Sequence, residues 1–183
     1  MNIIPNILSS FRIIIAPFLL LLAWKGYRNI FIGLLLISLL SDAIDGFIAR
    51  KFNASTSLGT KLDSFGDMAI YLTVPLCAWW LWPEILKKEA VFVLTAIGAY
   101  VIPLFAGLIK FKRIPSYHTF GAKIAAIIMC TAILILFITE FTWLFRFAAI
   151  FQAIVACEEI LITIQLPLMQ SNIKSIWHVR KEL

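Results

Sequence analysis

Charge is scarce in this 183-residue chain: only 14% of residues are Asp, Glu, Lys or Arg, 62% are hydrophobic, and the mean hydropathy is +0.96. Soluble domains carry about 25% charged residues, so a water-soluble enzyme fold is excluded and lipid is the expected solvent. Histidine occurs twice and cysteine three times. Cys77, Cys130 and Cys157 stand singly in apolar runs without CxxC spacing, which excludes a zinc site or a disulfide framework. Low-complexity segments and internal repeats are also missing. At about 20 residues per crossing, the length leaves no room for a separate soluble domain, and residues 1–183 read as a single transmembrane domain.

Six apolar segments are present, at Ile7–Trp24, Ile30–Arg50, Gly59–Trp82, Glu89–Ile109, His118–Glu140 and Trp143–Leu166. They predict an all-α polytopic membrane protein with six transmembrane helices. The first carries Arg12 and runs into Trp24-Lys25 without a small-residue cleavage site, so it reads as a helix and not a secretion signal. Lys25-Gly26, residues 53–57, Pro83 and Pro115-Ser116 break the runs, and a polar tail follows Pro167. Six crossings place both termini on one side with Arg12, Arg50, Lys51, Lys61, Lys110, Lys112, Arg113, Lys123, Lys174, Arg180 and Lys181. The other side has Lys25, Arg28, Lys87, Lys88 and Arg146. That asymmetry predicts cytoplasmic termini, with Trp79, Trp80 and Trp82 at the outer interface. The net charge of +6 reads as topology and attraction to anionic lipid, not nucleic-acid binding.

The second segment nevertheless contains Asp42 and Asp45, and the third contains Asp63 and Asp67. Ionisable groups at membrane depth are costly unless paired or hydrated, so four acids this close point to function. Spacings of three and four residues put each pair on one helix face. Counted from Arg50 and Gly59, Asp42 and Asp67 both lie about 12 Å in from the cytoplasmic end at 1.5 Å per residue. The hairpin thus predicts four facing carboxylates between helices near the cytoplasmic face. Oxygen-only ligation suits a hard ion, Mg²⁺ or Mn²⁺, with one or two ions open as alternatives. Gly46, Ala49 and Gly59 suit either close helix packing or the approach of a bulky ligand.

Together these residues spell Asp42-x2-Asp45-Gly46-x2-Ala49-Arg50-x8-Gly59-x3-Asp63-x3-Asp67, which resembles the signature of the CDP-alcohol phosphatidyltransferase family of membrane phospholipid synthases. Eight fixed positions match by chance on the order of once in 10¹⁰ starting points. The opening Ile4-Pro5-Asn6-Ile7-Leu8-Ser9-Ser10-Phe11-Arg12 also resembles the family's first helix. The resemblance implies transfer of a phosphatidyl group from CDP-diacylglycerol to a small alcohol with release of CMP, in a homodimer of a bacterial or archaeal cytoplasmic membrane. It implies Asp42, Asp45, Asp63 and Asp67 as metal ligands, and Asp67 also as the general base. Asp42, Gly46, Ala49, Arg50 and Gly59 would serve the nucleotide.

For the acceptor, Arg113, His118 and Lys123 are the candidates, and Glu158 or Glu159 is offered as a partner for Lys123 or Arg12. The N-terminal pattern and the basic stretch at 110–113 favour glycerol 3-phosphate. The Leu62-Asp63-Ser64-Phe65 wording is similar to serine- or inositol-using relatives, which leaves serine or inositol phosphate as alternatives. A divalent-cation transporter would need polar groups continuing toward the outer face, yet Ile30–Ile37 and the residues after Asp67 are apolar. A catalytically dead scaffold does not need all four acids.

Overall fold

The structure, a computed structural model, describes residues 3–51, 57–113, 115, 117, 119–170, 173 and 175–179, with side chains undescribed at 3–9, 42, 43, 45–51, 57–64 and 178. Among the described residues there is no strand. The described residues form eight helices, in order α1 (Ile3–Trp24), α2 (Arg28–Lys51), α3 (Ser57–Leu81), α4 (Pro83–Lys88), α5 (Ala90–Phe111), α6 (Phe120–Thr139), α7 (Thr142–Gln165) and α8 (Ile176–Val179). All but α4 and α8 are 20 to 25 residues long and fall on the six expected segments. Ala90–Phe111, Phe120–Thr139 and Thr142–Gln165 are long and apolar enough to cross a membrane. The first three helices contribute shorter apolar stretches at Ser10–Trp24, Arg28–Ser41 and Phe65–Leu81.

The chain divides into two units, Met1–Leu86 and Lys87–Leu183. In the first, α1 packs against both α2 and α3. It does so through one stripe, Arg12, Ile15, Ala16, Leu19 and Ala23, all at most 6% exposed. This i, i+3, i+4, i+7 spacing is the buried face of a helix. The buried stripe of α2 is Phe31, Leu35 and Ser38, and that of α3 is Ile70, Val74, Cys77 and Leu81.

Pro83, expected only to interrupt the chain, opens α4. Proline is tolerated at a first helical position because its missing N–H has no intrahelical partner there. Glu84 in the first turn and Lys87 and Lys88 in the last complement the helix dipole. Of the three tryptophans expected at the outer interface, Trp79 and Trp80 are exposed and Trp82 is buried. Its ring lies 5.9 Å from the Phe31 ring, with the Arg28 guanidinium 5.6 Å from its centroid.

In the second unit, α7 packs against α5, α6 and α8. A charged clasp joins the starts of α5 and α7. Arg146 Nε donates to Glu89 Oε2 and Nη2 to Oε1, both at 2.8 Å, and the guanidinium lies over the rings of Phe92 and Trp143 at 5.4 and 5.0 Å. Glu89 is fully buried whereas Arg146 is 28% exposed. The hydrogen bonds from Arg146 hold the Glu89 carboxyl below its ordinary range, against the opposing effect of burial. Glu89→Gln is expected to lower the melting temperature, because it removes the counter-charge of Arg146 and leaves an amide at a buried position. A depressed acid stabilises the fold above its unfolded pKa and loses that contribution as pH falls through its folded value. Thermal melts of both proteins at neutral and acid pH check this: the gap closes on acidification.

Candidate active site

The sequence singles out two groups of residues, and each falls in a different unit. In the first unit, α2 carries Asp42, Asp45, Gly46, Ala49 and Arg50, while α3 carries Gly59, Asp63 and Asp67. All eight signature positions therefore sit on continuous helix. Except for Asp67 their side chains lie outside the described residues, as does His118. By register, positions 42, 45 and 49 continue the α2 stripe of Leu35 and Ser38, and positions 59 and 63 continue the α3 stripe of Ile70, Val74 and Leu81. Among the described residues, no three His, Cys, Asp or Glu side chains gather as a metal cluster.

Asp67 is half-exposed and forms an ion pair through its Oδ1 with Nη1 of Arg12, whose side chain is only 2% exposed. Arg12 was offered from sequence as a partner for a glutamate near the chain's far end; the structure pairs it with Asp67. A guanidinium on the buried face of an apolar helix needs a counter-charge. The signal was available: one arginine inside the first apolar run and an excess of intramembrane acids in the third.

The second group surrounds the end of α5 and the start of α6. Lys112 closes α5 in a left-handed conformation, its N–H bonded to Leu108 O. The following chain folds back so closely that a Cβ on Gly107 would lie 2.4 Å from Pro115 Cγ, which only glycine avoids. Thr119, fully buried, caps α6 by accepting from the Ala122 N–H at 3.1 Å. The buried Tyr117 hydroxyl lies 2.8 Å from Thr163 Oγ1, and that oxygen donates in turn to Glu159 O. Burial lifts the Tyr117 phenol above its ordinary range, and the hydrogen bond with Thr163 offsets part of the rise.

Lys110, one of the bases assigned from sequence to the side of the termini, caps the end of α7. Its Nζ donates to Thr163 O at 2.9 Å and Ile164 O at 2.8 Å, satisfying carbonyls left open at the helix end. Arg113 and Lys123 are exposed and make no ion pair among the described residues. Glu158 takes neither partner proposed for it; its Oε1 accepts from the Ile176 N–H at 3.1 Å. The tail is also less polar in function than in composition. Ile173 and Val179 are buried with Tyr117, Ile162 and Leu166, fastening the chain after α7 to its own unit.

Residues 2–170 match the family described as CDP-alcohol phosphatidyltransferase. Among curated proteins, the chain is 31% identical over 110 residues to a CDP-diacylglycerol--glycerol-3-phosphate 3-phosphatidyltransferase of Aquifex aeolicus, covering 60% of this chain and 61% of the relative. A protein of the same name from Salmonella choleraesuis is 33% identical over 89 residues, 43% of this chain and 48% of the relative. The rat cardiolipin synthase (CMP-forming) is 40% identical over 68 residues, 37% of this chain and 22% of the relative. The chain thus spans less than two thirds of the length of each. No solved structure matches it.

Proposed function

Because the chain belongs to the CDP-alcohol phosphatidyltransferase family, we propose that it transfers a phosphatidyl group from CDP-diacylglycerol to a small alcohol and releases CMP, with glycerol 3-phosphate as the acceptor. The observation that carries this reading is that all eight signature positions lie on two continuous helices, five on α2 and three on α3, both of which pack against α1. The six long helices cross the bilayer in this reading, with cytoplasmic termini and the site near the cytoplasmic face. The membrane-spanning length of α5, α6 and α7 and the apolar stretches of α1, α2 and α3 support it. The protein would act as a homodimer in the cytoplasmic membrane.

The donor set of four carboxylates, with no thiolate or imidazole in the signature, fits a hard divalent ion. Asp42, Asp45, Asp63 and Asp67 would hold Mg²⁺ or Mn²⁺, which when bound would neutralise the diphosphate of the donor. Gly46, Ala49 and Gly59, with little or no side chain, would leave room for the cytidine diphosphate, and Arg50 would also serve the nucleotide. Asp67 accepts the proton of the acceptor hydroxyl as its oxygen attacks phosphorus and the bond to CMP breaks. Transfer of this kind depends on alignment and charge neutralisation, and the packing of α1 on both α2 and α3 supports the first of these. Arg113 and Lys123, exposed cations at one end of their unit, are suited to an acceptor phosphate, and His118 lies in sequence between them.

The relative named cardiolipin synthase (CMP-forming) favours a second reading, in which the acceptor is itself a phospholipid alcohol, for which phosphatidylglycerol is the probe. An acceptor panel separates the readings. Purified protein with Mg²⁺ or Mn²⁺ and CDP-diacylglycerol is expected to release CMP with glycerol 3-phosphate, and not with serine, inositol phosphate or phosphatidylglycerol. Release with phosphatidylglycerol alone would establish the second reading.

A further inference from the structure

Arg12 lies on the buried face of α1 at 2% exposure. Its neighbours on the α1 stripe, Ile15, Ala16 and Leu19, are apolar and at most 6% exposed, so nothing in that stripe itself calls for a cation. The guanidinium reaches a carboxylate 55 positions away, on α3. The two partners differ sharply in their freedom. Arg12 is enclosed at 2% exposure, whereas the Asp67 side chain is 51% exposed, so the ion pair ties an accessible carboxylate to a buried cation. The same α1 also packs against α2, the helix of Asp42 and Asp45.

From this juxtaposition we infer that Arg12 is a positioning residue: it holds Asp67 Oδ1 and so sets the direction of the other carboxylate oxygen toward the reacting hydroxyl. The inference rests on the proposed role of Asp67 as the base. A guanidinium suits the task because its planar fork constrains orientation, whereas an ammonium is a point charge on a flexible stem. Small misplacements of a reacting group cost on the order of 10²-fold in rate.

Arg12→Gln and Arg12→Lys test this, with two readouts. In CMP release, Arg12→Gln is expected to lower kcat by about 10²-fold while KM for CDP-diacylglycerol stays within about threefold, and Arg12→Lys to recover part of the loss. In detergent without substrate or divalent ion, melting temperatures of Arg12→Gln, Asp67→Asn and the double variant are expected to be non-additive, the double variant being no less stable than the worse single one. A folded Arg12→Gln protein with unchanged kcat overturns the inference, as does a loss confined to KM or additive melting shifts. Absence of CMP release from the unsubstituted protein would instead overturn the proposed reaction, while the melting cycle would still decide whether Arg12 holds Asp67.

Discussion

Asp67→Asn is expected to reduce CMP release from CDP-diacylglycerol by at least about 10³-fold per folded molecule, with KM for the donor nearly unchanged. The amide has the size of the carboxylate and keeps one oxygen, so the shape of the site survives. It cannot accept a proton, and general base catalysis contributes about 10²–10⁴-fold. A loss of this kind in kcat with little change in KM marks an interaction made in the transition state. The same substitution removes the counter-charge of a guanidinium that is only 2% exposed, so a lower melting temperature accompanies it. The activity comparison is therefore made below the melting transition of the variant. Residual activity within tenfold of the unsubstituted enzyme would assign the proton to another group.

The second large effect concerns the divalent ion. Asp63→Asn is expected to raise the Mg²⁺ concentration for half-maximal activity by at least about tenfold, because charge count governs the affinity of oxygen-ligand sites for hard cations. Added Mg²⁺ should restore part of the rate, which separates this variant from Asp67→Asn, where metal cannot replace the missing base. Position 63 lies on the register of the buried α3 stripe, one turn before Asp67. A metal titration superimposable on that of the unsubstituted protein would remove Asp63 from the ligand set.

These residues stand out in the sequence for a physical reason. Acids are expensive in lipid, so Asp42, Asp45, Asp63 and Asp67 are conspicuous in apolar runs, and their spacing of three and four is legible without a structure. The six long helices are legible for the same reason, since each is a run of apolar residues long enough to be read one at a time. Contacts between runs are a different matter. Glu89 and Arg146 lie 57 positions apart, yet the six-segment path already puts both at the outer ends of their helices, so their pairing was available as an inference about ends. The burial of Trp82 was not, because it depends on Phe31 and Arg28 arriving from α2. Lys110 shows the limit of counting charges by side: a base near a helix end can be consumed by the carbonyls of a neighbouring helix. Ile173 and Val179 were hidden by the polar residues around them, since a tail that touches its unit through a few side chains has no periodicity to read.

The acceptor side is less legible than the donor side because exposed cations such as Arg113 and Lys123 serve topology, lipid headgroups and ligands equally well. The Lys110 ammonium is taken up by the end of α7, and the chain before α6 is held through Tyr117, Thr119 and Pro115 against Gly107.

The proposed transfer is tested most directly by incubating purified protein with Mg²⁺, CDP-diacylglycerol and glycerol 3-phosphate and quantifying CMP and the phospholipid formed. CMP and phosphatidylglycerophosphate appearing in equal amounts, dependent on both the metal and the acceptor, is the result predicted. No CMP release with any alcohol of the panel would contradict it.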